Sequence, residues 1–455
     1  MVIPMAMSGM SDLSSLDRRN TDGFLKLLVF LIGFGTFLDG YDLLNISNAL
    51  PFLKYSIALT SVQVGLIGDI TYIGGIAGAA LFGLLGDRAG KKFIFMADLF
   101  FFILGALLSS FVTNAAELLA LRFIIGVGIG ADIVSAPIIL ADISPSRNRG
   151  LLVGLSCTMM AAGGLTSVGL SYLLVISHVS PAIIWRVILG AGAVPAIIIL
   201  TLRTKVPESP RWLLSKDKVT EYRKVMGKLL KVNESEVMTG KGRPSGMSSL
   251  FTRYRREVVY TTIAWLAAGT TSIFTIFTPT ILSSLHMGSY TMSLVYTGIM
   301  WSSALAGSLL VSLLQDIVGR RPFFFASISI MGAAYLITGF LYKALSPLSL
   351  ATLFSIIFFS GFMNIGVAYT LQSEVFPPDI KSTGSGFSFS LNRLDNFFFG
   401  VFTPIALAAG VLGHYITSVG IFIVGLLLVS IFVSRETRKK SLEEISCLTK
   451  LDTTG

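Results

Sequence analysis

Asp39, Asp42, Arg122, Asp132 and Arg393 stand inside long apolar runs. An ionised side chain in the middle of such a run costs at least ~2.5–3.5 kcal/mol on membrane-insertion scales, so residues kept there are candidates for moving charge. Asp39 and Asp42, in Asp39-Gly40-Tyr41-Asp42, are spaced i, i+3, which puts both carboxylates on one helix face, with Asn45 beside them. Two acids that close repel when ionised, so one of them is expected to hold a proton that can load and leave. Asp132 follows Arg122 by ten residues, about 15 Å along a helix, too far for direct neutralisation. Arg122 is therefore expected to pair with a neighbouring helix. Asp132 is expected to share a cavity with Asp39 and Asp42, taking a proton in one access state and releasing it in the other. The alternative is that Arg122 and Asp132 are buried pairing partners that hold helices together. Arg393, in Asn392-Arg393-Leu394-Asp395-Asn396, lies about 16 Å into its run and demands an anion. A guanidinium fork matches a carboxylate or phosphate, which suggests an anionic ligand; internal pairing with Asp395 or with a group on span 8 or 10 is the competing reading.

The elements that carry these residues follow from composition. Of 455 residues 53% are hydrophobic and 13% charged, where a soluble domain carries about 25% charged residues. The excess apolar surface must face lipid. Runs long enough to cross about 30 Å of hydrocarbon lie at 24–49, 60–85, 93–113, 115–141, 150–176 and 184–203, then at 258–285, 291–315, 323–342, 347–373, 382–410 and 413–434. Numbered in order as spans 1 to 12, they predict an all-α polytopic membrane protein. Its parts are a segment 1–23, a first bundle 24–203, a linker 204–257 with some surface helix, a second bundle 258–434 and a tail 435–455. The net charge of +10 is a topological label, because 30 of the 35 Lys and Arg fall on one side of this arrangement. That bias puts both termini and the linker in the cytoplasm and displaces the nucleic-acid reading of a basic chain. Asp69 in span 2 and Asp98 in span 3 read as structural, Asp98 because the basic joint below it is within reach. Cys157 and Cys447 show no metal-ligand spacing, and no cofactor is expected beyond the proton itself.

The two halves repeat in their joints. Gly86-Asp87-Arg88-Ala89-Gly90-Lys91-Lys92 after span 2 reappears as Gln315-Asp316-Ile317-Val318-Gly319-Arg320-Arg321 after span 8, 229 residues later. Asp142-Ile143-Ser144-Pro145 after span 4 matches Glu374-Val375-Phe376-Pro377 after span 10, 232 residues later. Two joints in register predict two pseudo-symmetric six-helix bundles with a substrate site between them near mid-membrane. The second offset sets Asn364 opposite Asp132, so Asn364 joins Arg393, Arg122, Asn45 and Asn396 as a candidate for substrate contact. Phe274, Phe277, Phe362 and Tyr369 are positioned to stack on a ring or simply to pack. Asp87 and Asp316 close helix ends where a carboxylate can accept hydrogen bonds from the N-terminus of a neighbouring helix. With Gly83, Arg88, Gly90, Lys91, Asp142, Arg320 and Glu374 they are expected to form a gating latch, the basic pairs resting on headgroups.

Gly83-x-x-x-Asp87-Arg88-x-Gly90-Lys91-Lys92, Leu121-Arg122-Phe123-x-x-Gly126-x-Gly128-x-Gly130 and Pro207-Glu208-Ser209-Pro210-Arg211-Trp212 together resemble the signatures of the major facilitator superfamily. The resemblance spans essentially the whole chain. It implies a monomeric, twelve-helix transporter working by alternating access, with the loop 2–3 motif stabilising an outward-facing state. Asp-Gly-Tyr-Asp and Asn-Arg-Leu resemble the acidic pair and arginine region of aromatic-acid/proton symporters, which carries Asp39, Asp42 and Arg393 over as matched positions. Gly130-Ala131-Asp132 is similar to phosphate/proton symporters, yet Thr261 to Leu285 contains no acid to match their span 7 aspartate. Pro207 to Arg211 and Glu374-x-Phe-Pro fit sugar porters, whose paired span 7 glutamines are replaced by Ala268-Gly269-Thr270-Thr271-Ser272. Span 5 has glycines but no proline, unlike antiporters of the superfamily. These resemblances imply a plasma-membrane, proton-coupled importer of a small organic anion, a carboxylate, with phosphate or sugar symport as alternatives. No nucleophile or metal cluster supports a membrane enzyme, and a short tail offers little to a transport-inactive sensor.

Overall fold

The computed structural model describes residues 13–17, 19–237, 246–275 and 289–445, and among them the chain is helical. Span 1 is Gly23–Leu53, opened by Asp22, whose carboxylate accepts from the Leu25 backbone N–H at 3.0 Å. Span 2, Ser61–Ala89, starts on a capping box between Thr60 and Gln63. Span 3 is Lys91–Ser109, and span 4 runs through Ala115–Ile133 and Ala136–Ile143, broken at Ser135 just before Pro137. Span 5 is Arg149–Ile176; span 6 runs through Pro181–Gly190 and Ala193–Arg203, with its break two residues before Pro195. Both breaks follow from proline, which cannot supply the amide of the next helical turn.

In the second half, span 7 is Arg255–Thr275, and its expected continuation to 285, including Phe277, lies outside the described residues. Spans 8 to 10 are Tyr290–Val318, Arg320–Leu341 and Pro347–Glu374; spans 11 and 12 are Lys381–Ala408 and Leu412–Val433. The chain between the halves carries two shorter helices, Pro210–Ser215 and Val219–Leu230.

Among the described residues eleven helices are long and apolar enough to cross a membrane; span 11 is not among them. The reason is its buried polar stripe, Ser385, Ser388, Asn392, Arg393 and Asn396, whose three- and four-residue spacing aims one face at the protein interior. Such a helix spans with its polar stripe covered by protein, while Leu394, Phe398, Phe402 and Ile405 are exposed on its other side.

The halves meet most extensively along two helix pairs. Span 2 lies against span 11, where Ser390 Oγ donates to the Ile76 carbonyl at 3.4 Å, and span 5 lies against span 8, where the Thr158 and Ser312 hydroxyls are 3.1 Å apart. Within the first half, spans 1 and 5 approach closely because Gly40 and Gly163 have no Cβ. A Cβ built on either would sit 1.9 Å from the carbonyl oxygen of Met160 or Phe37. Gly90 and Gly319, at φ +113° and +119°, turn the chain sharply between spans 2 and 3 and between spans 8 and 9. The repeated joints therefore share a backbone geometry as well as a sequence.

Candidate functional site

A cavity of about 50 Å³ lies between the halves, walled by residues of spans 1, 2, 4, 5, 7, 8, 10 and 11. Tyr72, Trp265, Trp301, Phe362, Tyr369 and Phe389 give it aromatic walls. Thr271, Ser272, Asn392 and Asn396 add hydroxyl and amide groups, and Arg393 is the charged residue in the lining. Phe274 does not line it but packs against Phe354 in a tilted ring pair, with centroids 4.2 Å apart.

Arg393 is held by faces and amides rather than by an acid. Its guanidinium carbon lies 4.3 Å from the Phe389 ring centroid and 5.6 Å from that of Tyr72. With the Asn396 amide turned so that its nitrogen donates to the Gly269 and Asn392 carbonyls, its oxygen accepts from Arg393 Nη1 at 3.0 Å. Among the described residues no carboxylate lies within 4.0 Å of the guanidinium nitrogens, and Nε has no hydrogen-bond partner. The internal pairing with Asp395 does not form. Asp395 instead lies beside the Gly269 backbone, with one carboxylate oxygen unpartnered.

Arg122 pairs with a neighbouring helix, as its depth demands, but through neutral groups. Nη2 donates to the Asp42 carbonyl at 2.8 Å and Nη1 to Asn45 Oδ1 at 3.2 Å, while Asn45 Nδ2 donates to Asp42 Oδ1 at 2.7 Å. Asp42 Oδ2 is buried without a partner. Arg122 and Asn45 thus hold the span 1 acid, and neither lines the cavity in this arrangement. Asn364 is not in the cavity lining either: its amide nitrogen donates to the Ala264 carbonyl at 2.7 Å, tying span 10 to span 7.

The acids expected to share the cavity are drawn apart. Asp132 does not line it but is ion-paired to Arg203 at 3.2 Å, and the same guanidinium meets Asp98 at 2.5 Å and stacks on Phe95 at 3.7 Å. Asp98 therefore does not reach down to the basic joint. Arg203, which counts as a linker cation by its position after an apolar run, is completely buried and turns back into the membrane. The sequence signal for it was the pair of buried acids on spans 3 and 4 without a cation of their own. Asp39, although three residues from Asp42, belongs to this second group. Both its oxygens lack a hydrogen-bond partner, and Asp132, Asp98, Arg393 and Arg203 all act on it electrostatically.

The joints that follow spans 2 and 8 are closed against the opposite half. Asp87 accepts from the Ser382 and Thr383 backbone N–H groups at 3.0 and 2.7 Å, at the N-terminus of span 11. Asp316 does the same at span 5, from Gly150 and Leu151 at 3.0 and 2.7 Å. Gly83 permits this contact, since a Cβ there would lie 2.9 Å from the Ser382 carbonyl oxygen. Lys381 meets Asp142 at 2.7 Å, and Arg320 meets both Glu374 and Asp316 at 2.9 Å. The basic residues do not all rest on headgroups: Arg88 is exposed, but Lys91 is buried and donates to the Pro378 carbonyl at 3.1 Å.

The linker and both chain ends extend the latch in a way the joints alone do not signal. Asp17 meets Arg149 at 2.9 Å and Arg211 at 3.2 Å, and Arg211 meets Glu443 at 2.8 Å. Burial opposes ionisation of Glu443, but the Arg211 guanidinium outweighs it and holds that carboxyl below its ordinary range; at Asp17 burial wins and pushes it up. On the opposite side Tyr290 Oη donates to the Asn48 carbonyl at 2.9 Å. A cavity of about 50 Å³ admits a few waters at ~10–15 Å³ each, so the halves must part before an organic solute enters.

Comparison with known proteins gives this architecture a family. The family model for sugar (and other) transporters matches residues 28–448. The putative metabolite transport protein YaaU of Escherichia coli is 29% identical over 420 residues, covering 91% of this chain and 93% of that protein. The putative niacin/nicotinamide transporter NiaP of Bacillus subtilis is 27% identical, covering 92% and 98%. Among solved structures, the major facilitator superfamily proton:xylose symporter XylE bound to 6-bromo-6-deoxy-D-glucose is similar with a TM-score of 0.82 at 22% identity, covering 93% of this chain and 98% of that one. An inward open XylE from E. coli is similar at 0.68 and 21% identity, covering 93% and 99%. The chain belongs to the sugar (and other) transporter family and has the fold of the major facilitator superfamily symporter it is similar to.

Proposed function

We propose that the protein imports a small organic anion, a carboxylate, together with protons, by alternating access across the plasma membrane with both termini in the cytoplasm. The observation that carries the reading is Arg393: a buried guanidinium on the cavity wall with no carboxylate within 4.0 Å among the described residues. An anionic substrate would supply the missing partner, and Phe389, Tyr72 and Trp265 would lie against its apolar part.

Asp39 gives the coupling a physical form. Ionised, it opposes an anion in the field of Arg393; protonated, it leaves that field to the substrate. Proton and anion then bind together more tightly than either alone, which is the thermodynamic requirement of symport. Asp42, with its free oxygen beside Arg122, and Asp132, sharing Arg203 with Asp98, are the further proton carriers. The Asp87 and Asp316 latches would keep the cytoplasmic side closed until loading is complete. The two bundles of one chain enclose the whole site, so a monomer suffices.

A neutral sugar is the second reading. It is supported by the family and by Thr271, Ser272, Asn392 and Asn396 lining the cavity beside Trp265 and Trp301. Equilibrium binding read by tryptophan fluorescence separates the two, using aromatic and aliphatic carboxylates against monosaccharides. Carboxylate binding that weakens with rising pH, is lost in Arg393→Gln and becomes insensitive to pH in Asp39→Asn supports the anion. Sugar binding unchanged by pH and by Arg393→Gln supports the alternative and removes the anion anchor.

A further inference from the structure

A second and larger cavity, of about 330 Å³, opens at the cytoplasmic rim of the first half. Four lysines from three elements converge on it: Lys92 on the first turn of span 3, Lys205 just after span 6, and Lys224 and Lys228 on helix Val219–Leu230. Among the described residues none of the four ammonium groups has a carboxylate within 4.0 Å. Lys92 and Lys228 are close enough to repel one another, and Lys92 spends one donor on the Thr204 carbonyl at 2.9 Å.

The acids of the wall, Glu208 and Glu221, offset only part of this charge: Glu208 acts on Lys92, but two carboxylates face four lysines. Glu208 is turned to backbone donors, accepting from the N–H groups of Lys91, Lys92 and Ser209 at 3.1, 3.2 and 2.8 Å. Glu221 faces Lys218 at 3.9 Å. The floor is apolar, built from Phe24, Val206, Leu213, Val225 and Leu229. Below it, the outer faces of spans 1 and 6 expose Leu27, Phe30, Ile197 and Ile198. A cationic mouth at the ends of three spans, an apolar floor and an apolar path leading into the bilayer match one chemistry. A phosphate would sit among the ammonium groups, with hydrocarbon continuing along the helices.

We infer that this cavity binds the headgroup of an anionic phospholipid, pinning helix Val219–Leu230 and the segment that follows span 6 to the membrane rim of the first bundle. The null for cytoplasmic lysines is diffuse attraction to the leaflet, which needs no cavity and treats every exposed lysine alike. The bound lipid instead depends on which lysines are removed.

The test uses the full chain in phosphatidylcholine nanodiscs titrated with fluorescent phosphatidylglycerol. Lys224→Gln with Lys228→Gln is expected to weaken binding by roughly fivefold per lysine, the scale set for basic groups at an anionic surface. Lys216→Gln with Arg223→Gln, exposed cations outside the cavity lining, is expected to change it less than about twofold on that scale. Both variants place polar residues at exposed positions, and unchanged thermal unfolding checks that they fold. Equal losses in the two variants would overturn the site in favour of diffuse attraction. Displacement of the lipid by glycerol 3-phosphate at equal concentration would also overturn the assignment, identifying a free phosphate ligand.

Discussion

Arg203 offers a sharp energetic test because its removal and the removal of its partner leave different net charges. Asp98, Asp132 and Arg203 have no accessible side-chain surface, and the guanidinium lies 2.5 Å from one carboxylate and 3.2 Å from the other. Arg203→Gln leaves two buried carboxylates facing each other without a cation, a change of the kind that costs about 3–5 kcal/mol. Asp98→Asn leaves a one-to-one Arg203–Asp132 pair, and the new amide oxygen can still accept from the guanidinium, so the cost is about 1 kcal/mol. The expected separation is at least about 2 kcal/mol. At roughly 2 °C per kcal/mol for a chain of this length, it appears as several degrees in thermal unfolding in detergent at neutral pH and fixed scan rate. The double variant should recover part of the loss, with a coupling of about 1–2 kcal/mol. Equal destabilisation by Arg203→Gln and Asp98→Asn would refute the shared-guanidinium account, because two independent packing sites would then explain the data better.

Removing the latch charges with Asp87→Asn or Asp316→Asn weakens charge-assisted bonds to helix N-termini. Labelling of a Thr271→Cys reporter from the cytoplasmic side, in a background without Cys157 and Cys447, should rise about tenfold for a shift of ~1.4 kcal/mol; no change would exclude the latch. Gly40→Ala must push span 1 off the Met160 carbonyl, costing about 1–3 kcal/mol, whereas Gly169→Ala, with open space around it, should be neutral in the same melt. Glu443 is ionised more readily in the folded protein than its ordinary value of 4.5, so its contact with Arg211 adds stability above that value and loses it as pH falls through the lower folded value. Tail protection from limited proteolysis should be full at neutral pH and fall only in acid below about 4.5, and Glu443→Gln should abolish that acid step.

The spans were legible because lipid imposes length and apolarity on each helix separately; even span 11 declared itself through charged boundaries, although its polar stripe keeps it from passing on hydropathy alone. The repeat located the Asp87 and Asp316 contacts because a helix N-terminus is a local feature that recurs with the fold. Partnerships across the bundle were another matter. Spacing put Asp39 and Asp42 on one face, yet Arg122 and Asn45 engage the second while Asp132 and the arginines act on the first. Which neighbour a buried charge meets depends on helix rotation and depth, which a single sequence does not encode residue by residue. Arg203 shows the same limit from the other side: the positive-inside count treats every terminal arginine as solvated, and this one folds back to two acids. For Arg393 depth alone demanded an anion but left an external ligand and an internal acid open, and among the described residues no carboxylate lies within 4.0 Å of its guanidinium.

Uptake by the purified protein in proteoliposomes with an imposed pH gradient, acid outside, tests proton-coupled anion import most directly. Carboxylate should accumulate against its gradient with simultaneous internal acidification, and both signals should collapse in Arg393→Gln. Accumulation that persists without a proton gradient, or proton-coupled uptake that is unaltered in Arg393→Gln, would contradict the account.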